Sequence, residues 1–81
     1  MECRIDKYFS KAILSGVDLR ESSLISADFY SADLSKANLE MADLSKSNFE
    51  KADLSYAILE GVNLVEANLK NSKIKNLILK K

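Results

Sequence analysis

The chain has 81 residues, with 12 Lys and Arg against 12 Asp and Glu, and no His. A chain of this length forms one domain, and a net charge of zero gives no global field of the kind that marks nucleic-acid or membrane-surface binders. The single cysteine excludes an internal disulfide, and no apolar run approaches the roughly 18 residues of a membrane span. We therefore expect a cytoplasmic protein without a secretory leader.

Residues 1–6 stand outside the pattern that fills the rest of the chain. They include Cys3 and the charged residues Glu2, Arg4 and Asp6. We interpret them as a cap on the N-terminal end of a single domain formed by residues 7–81. Cys3 has no partner for disulfide or nucleophilic chemistry, so we interpret it as an inert thiol.

A large apolar residue stands at every fifth position from residue 9 onward. The fifteen positions hold only Leu, Phe or Ile: Phe9, Leu14, Leu19, Leu24, Phe29, Leu34, Leu39, Leu44, Phe49, Leu54, Leu59, Leu64, Leu69, Ile74 and Leu79. A mostly small residue lies two positions before each from residue 12 onward, and the residue between them is often Asp or Asn. The consensus is Ala-Asp/Asn-Leu-x-x.

A period of five fits neither a helix nor a flat strand. On an α-helix, five residues advance about 500°, so successive leucines drift by roughly 140° and form no stripe. On a strand, five is odd, so each leucine would lie on the opposite face from the last. The pattern fits a chain that turns a corner every five residues, with the small and large residues inside and the Asp or Asn outside.

The spacing of the phenylalanines indicates how many units close one turn of such a coil. Phe9, Phe29 and Phe49 fall in every fourth unit of the repeat. This is the recurrence expected if four units form one square coil and equivalent residues stack on one another, about 4.8 Å apart.

Residues 32–46, Ala-Asp-Leu-Ser-Lys-Ala-Asn-Leu-Glu-Met-Ala-Asp-Leu-Ser-Lys, strongly resemble the pentapeptide-repeat family. The resemblance covers about residues 7–81. It implies an all-β fold, a right-handed quadrilateral β-helix solenoid of about four coils of four repeats, roughly 18 Å long. Ile13 and Ile58 depart from the pattern by replacing the Asp or Asn, and the last two units, with Lys73, Leu77 and Ile78, are the least regular.

Catalytic chemistry has little to use in this sequence. Without His, the usual general base and the Ser-His-Asp arrangement are missing. The repeated Asp and Asn could hold cations, or they could bond the backbone at each corner; the exchange of Asp for neutral Asn favours the second interpretation. We therefore expect no enzyme activity and no catalytic, cofactor-binding or metal-binding residues.

The C-terminal coil is the strongest candidate for an interaction site. A solenoid that ends uncapped exposes apolar core and unpaired backbone, which promotes association. The candidate dimer-interface residues are Ile58, Val65, Ile74, Leu77, Ile78 and Leu79. Residues 70–81 also carry five lysines and no acid, whereas residues 1–69 carry 7 basic and 12 acidic residues. The lysines either repel a second copy or pair with acids such as Glu60 and Glu66 on its rim.

The sequence thus predicts a non-catalytic structural or protein-interaction module that forms a homodimer end to end. It indicates an unknown protein partner and no direct contact with nucleic acid, a membrane or a small-molecule substrate. The alternative, implied by the family resemblance, is a mimic of duplex DNA that binds DNA gyrase and confers fluoroquinolone resistance. One turn of DNA is about 34 Å long, so only an end-to-end dimer would match it.

Overall fold

The structure, a computed structural model, describes residues 7–78, so the predicted cap and Leu79 lie outside the described residues. Each five-residue unit contributes one β-bridge residue and one two-residue turn, beginning with Tyr8 and residues 10–11. The strands are therefore reduced to single bridge positions that recur once in every unit, from Tyr8 to Ile78. The described residues contain no helix that is long and apolar enough to cross a membrane.

The bridges sort into four ladders that form the four faces of the solenoid. Every bridge in the described range is parallel and joins equivalent positions four units apart. The faces are A (Tyr8, Asp28, Asn48, Asn68), B (Ile13, Asp33, Asp53, Lys73), C (Asp18, Asn38, Ile58, Ile78) and D (Ser23, Asp43, Asn63). Four units therefore close one coil, as the phenylalanine spacing predicts. The count of about four coils for the whole chain stays a prediction.

Backbone hydrogen bonds hold each unit to the coils on both sides. A unit makes three such bonds and closes its own turn with a fourth. In the unit around Phe29, Asp28 N donates to Lys7 O in the coil below (2.9 Å). Phe29 N and Ser31 N donate to Asn48 O (2.7 Å) and Glu50 O (2.9 Å) in the coil above. Ala32 N donates to Phe29 O (3.0 Å) and closes the turn. Because the pattern repeats around the coil, most backbone polar groups of the inner coils are paired.

The corners place non-glycine residues in the left-handed region of backbone space. The second residue of each turn has a positive φ, from 55° at Asn76 to 72° at Gly16, the signature of a type II turn. Only two of the described corners carry glycine, although a left-handed conformation costs other residues about 1–2 kcal/mol. In this conformation the N–H of the second turn residue points toward a carbonyl of the next coil, as Lys36 N does toward Ser55 O (2.8 Å). The hydrogen bond offsets the cost of the left-handed backbone.

The shaft is filled by the two inward positions of each unit. Phe29 and Phe49 are fully buried, and Phe29 lies stacked between Phe9 (ring centroids 5.1 Å apart, planes at 12°) and Phe49 (4.8 Å, 4°). The alanines of the inner coils fill the second position. Ser47 replaces one of them, and its buried hydroxyl donates to Leu24 O (2.8 Å) and accepts from Ala27 N (3.2 Å) in the coil below.

Candidate interaction site at the C-terminal coil

Burial of the central apolar residue falls steeply in the last described coil. Leu34 and Leu44 in the middle of the solenoid have no exposed surface, whereas Leu69 is 37% exposed and Ile74 is 52% exposed. These side chains occupy inward positions and have no coil above them among the described residues. The C-terminal end surface is defined here by Ala67, Leu69, Ile74 and Leu77, inward residues of the last units that no coil among residues 7–78 covers.

The six residues predicted for the dimer interface divide between this end surface and the sides. Ile74 and Leu77 lie in it, at inward positions, and Leu77 packs against the core. Ile58 and Ile78 stack on one another on face C, pointing outward, and Val65 lies at the corner between faces D and A, 63% exposed. Leu79 lies outside the described residues. Of the six, the structure thus places two at the end and three around its side.

Leu69 is a member of the end surface that sequence reasoning missed. It occupies the core position of the last unit on face A, directly after Asn68, and its equivalent one coil below is the fully buried Phe49. Counting one full coil back from the last repeat would have found it, because no residue in the described range is stacked above Leu69.

The last described coil also has backbone groups on its upper edge that no other described residue pairs. In the coil below, Ser47 O accepts from Asn68 N (2.9 Å) and Phe49 N donates to Asn68 O (2.7 Å). The equivalent groups of the last coil are Ala67 O and Leu69 N, and neither has a backbone partner within residues 7–78. Unpaired strand edges of this kind are templates for pairing with another chain.

Charges of opposite sign lie on opposite sides of the last coil. Lys70, Lys73 and Lys75 are exposed along face B and its two corners. Glu66 is exposed at the corner between faces D and A, and Glu60 is half-buried at the corner between faces C and D. The end surface is therefore apolar at its centre, basic along one side and acidic at the corners of the opposite side.

The repeated Asp and Asn side chains bond the backbone at each corner, as the favoured interpretation predicts. In nine units the side-chain oxygen Oδ1 accepts from the backbone N–H two residues later, at 2.9–3.1 Å. The nine are Asp18, Asp28, Asp33, Asn38, Asp43, Asn48, Asp53, Asn63 and Asn68. Either residue supplies the same acceptor, which explains why they alternate. Residues 7–78 bring together no group of three or more Asp, Glu, Cys or His that could hold a metal ion.

These corner bonds make the stability of the protein depend on pH, and Asp53 is the residue at which this dependence can be tested. The Ser55 hydroxyl, and then its backbone N–H (2.9 Å from Asp53 Oδ1), hold the pKa of Asp53 below its ordinary value of 3.8. A lowered pKa in the folded state stabilises the protein above pH 3.8, and this stabilisation is lost as the pH falls through the folded-state pKa. We expect Asp53→Asn, which keeps the acceptor, to reduce the loss of stability on acidification below that pH.

Urea unfolding midpoints measured between about pH 2 and pH 6 check this expectation. The Ser55→Ala variant is the matched control, because it removes the hydroxyl donor and leaves the carboxylate. Ser55→Ala should reduce the loss of stability on acidification less than Asp53→Asn does. Identical pH profiles for the wild type and Asp53→Asn would contradict the assignment.

The sides of the solenoid offer a shallow charged depression. It has a volume of about 460 Å³ and is lined by Asp18, Arg20, Glu21, Glu40 and Met41. Arg20 forks onto the Asp18 carboxylate (Nε to Oδ1 2.9 Å, Nη2 to Oδ2 2.8 Å), which lowers the pKa of Asp18. Both side chains are more than half exposed, so the pair contributes little to stability.

Cys3, the one thiol considered for catalysis, lies outside the described residues.

Comparison with known proteins matches this repeat along nearly the whole chain. The family described as pentapeptide repeats matches as eight copies over residues 8–40, 32–71 and 42–80. No curated protein matches. Among solved structures, the chain is similar to HetL of the cyanobacterium Nostoc sp. strain PCC 7120, a pentapeptide repeat protein involved in regulating heterocyst differentiation. The two are 33% identical over 91% of this chain and 40% of HetL, with a TM-score of 0.69.

A second similar structure is the pentapeptide repeat protein Rfr23 of the cyanobacterium Cyanothece 51142. It is 39% identical over 90% of this chain and 54% of Rfr23, with a TM-score of 0.60. Both relatives have the right-handed β-helix fold. The chain thus spans about half or less of the length of either relative.

Proposed function

Since the chain belongs to the pentapeptide repeat family, whose proteins are generally non-catalytic, we propose that it is a protein-interaction module that associates end to end through its C-terminal coil. The observation that carries this proposal is the exposure of core residues there, 37% for Leu69 and 52% for Ile74 against 0% for Leu34 and Leu44. The interaction covers the end surface with a second copy of the chain.

Burial of the apolar end surface provides the driving force for association. Each core side chain that a partner covers contributes about 1.5–3 kcal/mol when it passes from exposed to buried. Leu69 and Ile74 are each only partly exposed, so two copies together bury the equivalent of about two such side chains. Val65 and Ile78, 63% and 41% exposed, extend the apolar surface around the side of the same coil.

The unpaired backbone edge favours another β-edge as the occupant. A partner that offers only apolar side chains leaves Ala67 O and Leu69 N desolvated without hydrogen bonds, which costs about 1–3 kcal/mol for each group. A second copy of the same coil brings the complementary donors and acceptors. We therefore propose a homodimer, with any further protein partner binding the sides of the solenoid.

The Ile74→Lys variant tests this proposal. A lysine in the middle of the apolar end surface has to be desolvated when the two ends meet, so we expect the dimer dissociation constant to rise at least about tenfold. Sedimentation or light scattering over a range of concentrations measures it. Ile13→Lys is the matched control, because Ile13 is 84% exposed on face B at the other end of the solenoid. A wild-type chain that stays monomeric at all concentrations would contradict the proposal.

Mimicry of duplex DNA is the second candidate function. The observation that favours it is the presence of six acidic residues against three lysines within residues 27–59, the inner part of the solenoid. However, the carboxylates on faces A, B and D are bonded to corner N–H groups and alternate with neutral Asn. A gyrase supercoiling assay with the self-associated chain tests it, and unchanged supercoiling at all concentrations would exclude it.

A further inference from the structure

Coiling separates charges that balance along the chain. Among the described residues, the corner between faces B and C carries no acidic side chain, whereas each of the other three corners carries at least one. These are Glu50 between faces A and B, Glu21, Glu40 and Glu60 between C and D, and Glu66 between D and A. The corner between B and C has two exposed lysines instead, Lys36 and Lys75. The net charge of zero, from which the sequence predicts no contact with nucleic acid, therefore conceals a basic strip along one edge of the solenoid.

An exposed tyrosine lies between these two lysines. Lys36 N donates to Ser55 O (2.8 Å) in the next coil, directly before Tyr56, and Tyr56 N donates to Lys75 O (3.0 Å) one coil further. Because neighbouring coils are about 4.8 Å apart, one lysine lies one coil below the tyrosine and the other lies one coil above it. The tyrosine is 47% exposed. We call this column of Lys36, Tyr56 and Lys75 the basic corner.

The lysines of the basic corner have no carboxylate partner among residues 7–78. Ion pairing in this range joins Arg20 to Asp18, which lie elsewhere on the coil. Asp33 and Asp53, which lie beside the basic corner on face B, are half-buried and accept from the backbone N–H two residues later, at 3.0 and 2.9 Å. Because the corner backbone holds these carboxylates, the lysine ammonium groups stay available to an anion from outside.

The two faces beside the basic corner add an apolar flank and a further positive charge. On face C, Ile58 and Ile78 take the place of Asp or Asn and stack on one another, and Ile78 is 41% exposed. On face B, the exposed Lys73 lies in the coil above Asp53. The surface therefore has an aromatic ring with an apolar flank, and lysines below it, above it and on its face B side.

We propose that the basic corner binds single-stranded nucleic acid, with one base stacked on Tyr56 and the phosphates on either side of it bound by lysines. Proteins that bind single strands without sequence preference combine basic side chains along the strand with aromatic rings on which bases stack. Lys36 and Lys75 are about 10 Å apart along the solenoid, and their flexible side chains reach toward the ring between them. The basic corner lies on the side of the solenoid, so this binding does not depend on the end-to-end association proposed above.

Other polyanions fit the basic corner less well. The backbone N–H and C=O groups on the sides of the inner coils are already bonded between coils, so a peptide strand finds no backbone pairing there. The bases of a duplex are stacked on one another and do not reach an aromatic ring without being flipped out. A base of a single strand needs only a flat, exposed ring, which Tyr56 provides.

Substitution of the ring tests the stacking. Fluorescence anisotropy with a labelled oligothymidylate of about 12 nucleotides, at low salt, measures the binding. We expect Tyr56→Ala to raise the dissociation constant at least about fivefold and Tyr56→Phe to keep it near the wild-type value. Met41→Ala is the matched control, because Met41 is an exposed residue at the same position of the repeat, on the acidic corner between faces C and D.

Salt dependence of the same binding tests the lysines. Each phosphate contact on a single strand contributes about −0.7 to the slope of the logarithm of the binding constant against the logarithm of salt concentration. Lys36→Gln should therefore make this slope shallower by about 0.7. Lys46→Gln is the matched control, because Lys46 is exposed at the same position of the repeat, on the corner between faces D and A, and should leave the slope unchanged.

The probes distinguish the possible occupants. Binding of the oligothymidylate that Tyr56→Ala and Lys36→Gln weaken, and their controls do not, would support the proposal. Tighter binding of a duplex or an oligoglutamate of equal length would overturn it, in favour of a phosphate backbone or an acidic protein segment. Binding that depends on Lys36 but not on Tyr56, or no binding at any concentration, would also overturn it. Each of these results leaves the end-to-end association to be decided by the mass measurements on Ile74→Lys.

Discussion

Replacing Phe29 by alanine is expected to lower the free energy of unfolding by about 3–5 kcal/mol. Phe29 has no exposed surface and lies between Phe9 and Phe49 with centroid distances of 5.1 and 4.8 Å. Truncation removes both aromatic contacts and leaves a cavity that the backbone, bonded on both sides to neighbouring coils, cannot close. A chain of 81 residues has a total stability of roughly 4–12 kcal/mol, so the loss is a large part of it.

Chemical denaturation followed by circular dichroism measures this loss. Phe29→Leu is the matched control, because Leu34, Leu39 and Leu44 occupy the same position on the other three faces and are fully buried. Leucine should therefore fit the corner geometry and destabilise the protein clearly less than alanine does. Phe9→Ala should also be milder, since Phe9 is only partly buried and stacks on a single ring. Equal losses at positions 9 and 29 would contradict the central role of the stack.

The Ala37→Asp variant is expected to lose cooperative folding, or at least about 4 kcal/mol of stability. Ala37 is fully buried in the shaft, between Val17 in the coil below and Ala57 in the coil above. A carboxylate there meets only apolar side chains and backbone groups that are already bonded. It has to be protonated or exposed by opening the coil.

Asn38→Asp provides the contrast for this prediction, because it introduces the same residue one position later. Asn38 points outward on face C, and its Oδ1 accepts from Glu40 N at 3.1 Å, a bond that a carboxylate also makes. We expect a change within about 0.5 kcal/mol. Urea unfolding of the two variants side by side measures the difference. If Ala37→Asp were as stable as Asn38→Asp, the assignment of inward and outward positions would be wrong.

The site was only partly predictable, and the reason is geometric. Sequence reasoning identified Ile74 and Leu77 because they belong to the last units of an apolar repeat. It also named Ile78 and the neighbouring Ile58 and Val65, which it expected to face outward, and the structure places all three on the outer sides of the coil. Position in the repeat separates inward residues from outward ones, but it does not decide which of them a contact between two ends would cover.

The repeat, the inward positions and the number of units in a coil all followed from the order of residues in the chain. A period of five is incompatible with a helix or a flat strand, and a phenylalanine in every fourth unit is explained when equivalent residues stack. The preference for Asp or Asn before each leucine also followed from local chemistry, since the side chain bonds the N–H two residues later. These features depend on residues close together in the chain or on a strict repeat.

The backbone of the corners and the identity of the open edge depend instead on contacts between coils. Lys36, Met41 and Tyr56 adopt positive φ values of 62–63°, which their side chains disfavour and their sequence does not announce. The stacked coils impose this conformation because each left-handed N–H finds a carbonyl of the next coil. The same contacts pair Phe49 N, whereas Leu69 N has no backbone partner within residues 7–78, so the difference between the two groups depends on whether a coil is stacked above them.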